Sequence, residues 1–180
     1  VLSIEKTMSN KKWHNPSWDE LFMRHAYLIA SKSKDTNTKI GAVLVRDNII
    51  ISEGYNGIPR GVSDDVNVRD ERPIKYFYYE HAERNAIYNC ARNGVSTAGS
   101  TLYCVALPCA DCCRGLLQSG IKSIVVHKQW DDVGINKNND KWKESSTHSS
   151  VMLFEAKTDF KVLDMELGVK TMINGNVYIV

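Results

Sequence analysis

Residues Thr101–His127 read TLYCVALPCADCCRGLLQSGIKSIVVH, and their order decides the architecture. Thr101 to Val105 is a short apolar run of the kind that forms a strand. Pro108 suits a tight turn into a helix over Cys109 to Gln118, which ends at Gly120. Ile121 to His127 is a second β-branched run and predicts another strand. Strand, helix and strand at this spacing make a parallel β-α-β unit, so the expected class is α/β, one sheet with helices packed on it.

Upstream, His81 to Arg92 predicts a helix stopped by Asn93-Gly94. Lys39 to Val45 and Ile49 to Tyr55 are β-branched runs joined by Arg46-Asp47-Asn48, an antiparallel hairpin. Trp18, Leu21, Phe22, His25, Leu28 and Ile29 recur at helical spacing behind Ser17, predicting an amphipathic helix over 18–33. Between hairpin and second helix, residues 56–79 hold Gly57, Pro59, Gly61 and Pro73 and read as a long functional loop. Downstream, the polar stretch 130–147 reads as a surface loop, Ser149 to Ala156 as a helix and Phe160 to Leu163 as an edge strand. Residues 168–180 read as a C-terminal tail with no assigned element.

A chain of 180 residues fits one domain, here 1–180, with 1–16 as an N-terminal extension. Twenty-three Lys and Arg against 21 Asp and Glu leave a net charge of +2, too little for a field that gathers DNA or RNA. A small anionic ligand is compatible with it. No apolar run approaches the roughly 20 residues of a membrane helix, and Val1 to Trp18 has no apolar leader core. The expectation is a soluble, cytoplasmic protein, in the host cytoplasm if the source is viral. All five cysteines fall between Cys90 and Cys113, a clustering that metal binding explains better than disulfides.

Cys109 and Cys112 stand three apart at a helix start, where both sulfurs can reach one ion and the positive end of the helix dipole favours thiolates. His81 opens the preceding helix and supplies the imidazole. Two thiolates and one imidazole around Zn²⁺ leave a fourth position free, the composition of a catalytic site. Glu83, two residues on, is placed to move protons and not to ligate. Cys113 is the rival ligand, while Cys90 and Cys104 read as buried small hydrophobes. Taken alone, Cys-x-x-Cys also fits a redox pair or half of a structural zinc knuckle. H-x-E followed by P-C-x-x-C is the signature of the zinc deaminases.

The likeness extends further. GYNGIPRGVSDD (Gly54–Asp65), YYEHAERNAI around His81, LYCVALPCADCC and QSGIK together resemble the deoxycytidylate (dCMP) deaminase family, in order, over roughly Trp18 to His127. The resemblance implies a cytidine-deaminase-like three-layer fold with a mixed five-stranded sheet flanked by helices. It implies hydrolysis of dCMP to dUMP and ammonia, feeding thymidylate synthesis, with one catalytic zinc per chain. Carried over by position, Asn56 would bond the sugar, the Ala82 amide would hold the pyrimidine carbonyl and the Ala106 carbonyl would accept the amino group. Lys32 and Ser33 stand where the family has a phosphate-associated Arg-Ser. Arg60 and Lys34 are further candidates for the phosphate.

The resemblance also implies a homo-oligomer, a hexamer, activated by dCTP and inhibited by dTTP with Mg²⁺. Gly57, Arg60, Gly61, Asp64 and Asp65 fall in the segment resembling the effector loop. Some viral members carry a second, structural zinc; no cysteine precedes Cys90, so none is expected here. Two rivals share these motifs, a tRNA adenosine deaminase and a non-catalytic zinc-stabilised binding module. The first needs a basic RNA surface, and the second has no use for Glu83.

Overall fold

The structure, a computed structural model, describes residues 15–129 and 140–180. The expected extension 1–16 lies outside them except for its last two positions, as does 130–139 of the expected surface loop.

Gly41–Arg46 (β1), Ile49–Tyr55 (β2), Thr101–Cys104 (β3), Ser123–His127 (β4) and Asp159–Leu163 (β5) form one sheet ordered β2-β1-β3-β4-β5. β1 runs antiparallel to β2 and β3, whereas β3, β4 and β5 run parallel. The expected mixed five-stranded sheet is thus present, and its parallel half begins with the opening β-α-β unit. The helices are Trp18–Ala30 (α1), Lys75–Tyr78 (α2), Ala82–Arg92 (α3), Ala110–Gln118 (α4) and Asp140–Glu155 (α5). Among the described residues no helix is long and apolar enough to cross a membrane.

The two-residue period of β1 sorts its side chains between two cores. Val43 and Val45 join Phe22, Met23, Ala26 and Tyr27 of α1 on one face. Ala42 and Leu44 join Ala86 and Cys90 of α3, Cys113 and Leu116 of α4 and Leu153 of α5 on the other. Leu44, Leu102, Leu116 and Ile124 are fully buried, each contributing about 1.5–3 kcal/mol of hydrophobic stabilisation.

Two glycines set how closely the helices approach. A Cβ on Gly41 would stand 2.0 Å from the Ala26 carbonyl oxygen of α1, and one on Gly54 would stand 2.3 Å from the Ala82 carbonyl oxygen of α3. α3 is also stitched to the edge strand. Asn85 donates to Tyr55 O at 2.8 Å and Asn89 to Glu53 O at 2.7 Å, satisfying β2 carbonyls that no strand pairs.

Several expectations need correction. α1 stops at Ala30, where the Ser31 hydroxyl turns back to Leu28 O at 2.6 Å, so Lys32 and Ser33 lie beyond the helix. β1 starts at Gly41 and not Lys39, because the Lys39 and Ile40 amides donate elsewhere, to Met172 O and Asn56 Oδ1. The expected loop 130–147 is helical from Asp140, and the helix expected at Ser149 to Ala156 is only the end of α5. Ser145 and Ser149 lie on its inward side, which disguises the period. Residues 168–180 fold into a hairpin, Lys170–Ile173 (β6) and Asn176–Ile179 (β7). Asn174-Gly175 makes its turn with positive φ at both positions, and Ile173 is buried against the α1 face.

The long segment 56–79 is tied at its base, where Gly57 and Glu80 exchange backbone hydrogen bonds at 3.0 and 2.8 Å. Within it lie a 3-10 turn, Asn67–Asp70, and α2.

Candidate active site

His81 is the N-cap of α3, with extended backbone at φ −85°, ψ 153°. That geometry swings its ring off the helix axis, so the imidazole and the Glu83 side chain need not diverge as two residues apart in mid-helix would. Glu80 steadies this start: its Oε1 accepts the His81 amide at 2.9 Å and the Arg84 guanidinium at 2.6 Å. Cys109 is the N-cap of α4, again extended, and its sulfur accepts the Cys112 amide at 3.5 Å. Two helix N-termini therefore meet on one side of the sheet.

His81 Nδ1 lies 3.4 Å from both Cys109 Sγ and Cys112 Sγ, and all three donor atoms fall within 4.8 Å of one another. Zinc bonds of ~2.3 Å to sulfur and ~2.0–2.1 Å to nitrogen at tetrahedral angles predict a sulfur–nitrogen edge of about 3.5 Å. The residues fit the metal in element, number and spacing. Cys113 does not join them; its thiol points to Ser149 O at 3.7 Å. Cys90 and Cys104 are buried, as expected.

The sulfurs are electrostatically unequal. The Cys112 thiol hydrogen bond and the neighbouring His81 lower Cys109 to about 4, against the effect of burial. Cys112, the proton donor of that pair, is pushed up by Cys109 and by burial. Burial acts against charge on His81, but the Cys109 hydrogen bond and the Glu83 carboxylate outweigh it and raise its pKa. Burial is also the main influence on Glu83, which is 4% exposed; it raises the carboxyl above its ordinary value while His81 partly opposes. A carboxyl so placed takes and returns a proton more readily near neutral pH than an exposed one.

α5 closes over this centre. Ser145 Oγ accepts the Ala110 amide at 2.9 Å, satisfying a donor at the start of α4, and the Trp142 ring lies 6.0 Å from the His81 ring at 37°. Neither residue stands out in a polar stretch that reads as loop.

Asn56 is 8% exposed and its amide is engaged: Nδ2 donates to Asp35 Oδ2 at 2.9 Å and Thr38 O at 2.8 Å, and Oδ1 accepts the Ile40 amide at 2.8 Å. Oδ1 keeps one lone pair. Ser33 is buried and donates to Asn56 O at 2.7 Å, while Lys32 is exposed. Ala82 is the first residue of α3, so its N–H is among those without an intrahelical acceptor. Ala106 follows β3 and is half-buried. Arg60 reaches Asn89 Oδ1 at 2.7 Å, Lys34 pairs with Asp64 at 2.6 Å, and Gly57, Gly61 and Asp65 share the same segment, with Gly61 at φ 80°. Asp35 and Lys75, which touch the Asn56 cluster, carry no signal in the sequence.

A three-donor metal centre with a buried carboxylate beside it, carried on an α/β sheet, defines a zinc-binding protein equipped for proton transfer. The chain belongs to the cytidine and deoxycytidylate deaminase family, whose zinc-binding region matches residues 16–128. It is 40% identical over 114 residues to the deoxycytidylate deaminase of Homo sapiens, a match covering 60% of this chain and 63% of that protein. The match therefore spans somewhat under two thirds of that relative. An uncharacterized deaminase of Aliivibrio fischeri, encoded in the luxG 3′ region, is 34% identical over 83% of this chain and 96% of its own. The crystal structure of the dCMP deaminase of cyanophage S-TIM5 in apo form shares the fold, with a TM-score of 0.58 at 24% identity over 83% of this chain and 100% of that one.

Proposed function

We propose that this protein hydrolyses dCMP to dUMP and ammonia, a reaction that supplies dUMP for thymidylate synthesis. The observation that carries the reading is the buried Glu83 carboxyl, held at the start of α3 beside His81, Cys109 and Cys112. The similarity to deoxycytidylate deaminases directs it to a cytosine nucleotide.

When bound by His81, Cys109 and Cys112, zinc supplies Lewis acidity that makes water a nucleophile near neutral pH. Glu83 takes a proton from the attacking water as its oxygen bonds to C4, and delivers that proton to N3. It then carries the remaining hydroxyl proton to the amino nitrogen; the C4–N4 bond breaks and ammonia leaves, with C4 now a carbonyl. The Ala82 N–H holds the ring carbonyl at C2 and the Ala106 carbonyl accepts from the amino group, fixing C4 before attack. Asn56 offers its remaining lone pair to a sugar hydroxyl. Lys32 and Ser33, with Lys34 and Arg60, are the candidates for the phosphate end. The reading extends to a homohexamer in which dCTP activates and dTTP inhibits with Mg²⁺. The segment Gly57–Asp65, exposed from Pro59 onward and carrying the Lys34–Asp64 pair, supports the effector site.

Ammonia release from dCMP, deoxycytidine, dCTP and tRNA tests the substrate, and added dCTP or dTTP tests the regulation. Activity on dCMP above the others is expected; preference for tRNA would sink the reading. Glu83→Gln is expected to lower kcat by about 10²–10⁴ while one zinc stays bound per chain, measured by metal analysis. Loss of zinc in that variant would overturn the division of roles. A hyperbolic response blind to both nucleotides removes the regulation alone.

A further inference from the structure

Asp35 stands at the centre of a buried polar cluster that the chemistry of deamination does not require. Its Oδ1 accepts the backbone amides of Asn37 at 2.8 Å and Thr38 at 3.1 Å, which fixes the carboxylate within its own loop. Its Oδ2 accepts Asn56 Nδ2 at 2.9 Å and meets Lys75 Nζ at 2.6 Å. Ser33 closes the ring of contacts, donating its hydroxyl to Asn56 O and accepting the Asp35 amide at 3.2 Å.

Lys75 comes from elsewhere, from α2 within the long segment 56–79. Its side chain is 12% exposed against 2% for Asp35, and its ammonium lies 4.6 Å from the centre of the Tyr79 ring. A single carboxylate oxygen is thus shared between the residue read as the sugar ligand and a cation on the segment that frames it. Hydrophobic residues would hold two segments together as well as a buried ion pair does. What the pair adds is register, because only one placement of α2 puts the ammonium on Oδ2. With both Nδ2 hydrogens directed by Asp35 and Thr38, the carboxamide cannot turn over, and its Oδ1 faces one way.

We propose that Asp35 and Lys75 form a clamp that positions Asn56, so that nucleotide affinity depends on the seating of residues 56–79. Both are positioning residues. The inference rests on the reading of Asn56 as a ligand of the nucleotide sugar. Without Lys75, Oδ2 loses its cationic partner while Oδ1 stays tied to its loop, the Asp35–Asn56 hydrogen bond weakens, and the carboxamide is held by Thr38 and Ile40 alone.

The test measures kcat and KM for dCMP in the zinc-loaded wild type, Lys75→Met, Lys75→Arg, Asn56→Ala and the Lys75→Met/Asn56→Ala double variant, with amide hydrogen exchange over 57–79. Lys75→Met is expected to raise KM about tenfold with kcat within about twofold, since it alters binding and not the reacting groups. Lys75→Arg recovers most of the loss, the segment exchanges faster in Lys75→Met alone of the two, and zinc stays at one per chain. Asn56→Ala raises KM as well, and adding Lys75→Met raises it no further, because the lysine acts through the asparagine. The clamp is overturned if Lys75→Met leaves KM unchanged, or if the two substitutions multiply. An unchanged KM in Asn56→Ala would instead remove the sugar-ligand reading, and the clamp's role with it. A wild type inactive on dCMP would refute the proposed function before any variant is compared.

Discussion

His127 ends β4 with both ring nitrogens engaged, Nε2 with Met165 O at 2.8 Å and Nδ1 with the Tyr27 hydroxyl at 2.8 Å. The carbonyl can only accept, so Nε2 carries the proton, Nδ1 accepts from Tyr27, and the neutral ring fits the site. Burial lowers its pKa below the ordinary 6.5. Stability is therefore intact above about pH 6.5 and is lost as pH falls from there through the lower folded value, because the unfolded chain takes up the proton first. Denaturant unfolding between pH 5 and 7 should show a slope that His127→Gln reduces by up to about 1.4 kcal/mol per pH unit; equal slopes would show that the folded ring takes up its proton as readily as the unfolded one. At this scale the chemistry is legible in part from the sequence. His81, Glu83, Cys109 and Cys112 announce themselves because their spacing is local to helix starts. Asp35 and Lys75 do not, since a carboxylate in Ser-Lys-Asp-Thr and a lysine before aromatic residues look like surface, and only the tertiary fold brings them together.

The elements that place the metal ligands depend on one close approach, that of β2 to α3 at Gly54. Gly54→Ala puts a methyl where backbone atoms of Ala82 and Ala86 lie at 2.3 and 2.5 Å, so α3 must move. The expected loss is about 1–3 kcal/mol of stability, in the range of overpacked cores. Zinc affinity should fall with it, since His81 and Glu83 ride on the first turn of α3; competition with a zinc-binding dye would check this. Unchanged affinity would mean that α3 shifts as a unit with α4. The strands and helices with clear periods, β1 to β4, α1, α3 and α4, are readable from the spacing of their apolar residues. The start of α5 is not, because Ser145 and Ser149 stand on its inward side where apolar residues would mark the period, and only its end from Ser149 reads as helix. The hairpin β6–β7 has its signal in Asn174-Gly175, but the short runs on either side give too little alternation to weigh.

In the molecule as a whole, α1 covers one face of the sheet and α3, α4 and α5 the other. All three metal ligands come from the α3–α4 side. The polar cluster around Asn56 lies where the end of β2 meets the loop after α1, so the metal-ligand set and this cluster are borne by separate segments. Their separation in sequence is also a mechanical fact about the chain. His81 and Cys109 are 28 positions apart, and a metal ion joining them closes a loop in the polypeptide. Held by the folded ligand set and released on unfolding, it stabilises the fold by mass action, by about 4 kcal/mol when free metal stands roughly 1,000-fold above its dissociation constant. For a protein of this size that corresponds to roughly 10 °C in melting temperature. Calorimetry with and without a strong chelator should resolve such a gap, and coincident melting curves would show that the tie is not part of the folded chain. The ion that the three ligands are spaced to hold is then also a tie between two helices, and metal supply would set the stability of the fold as well as the occupancy of the site.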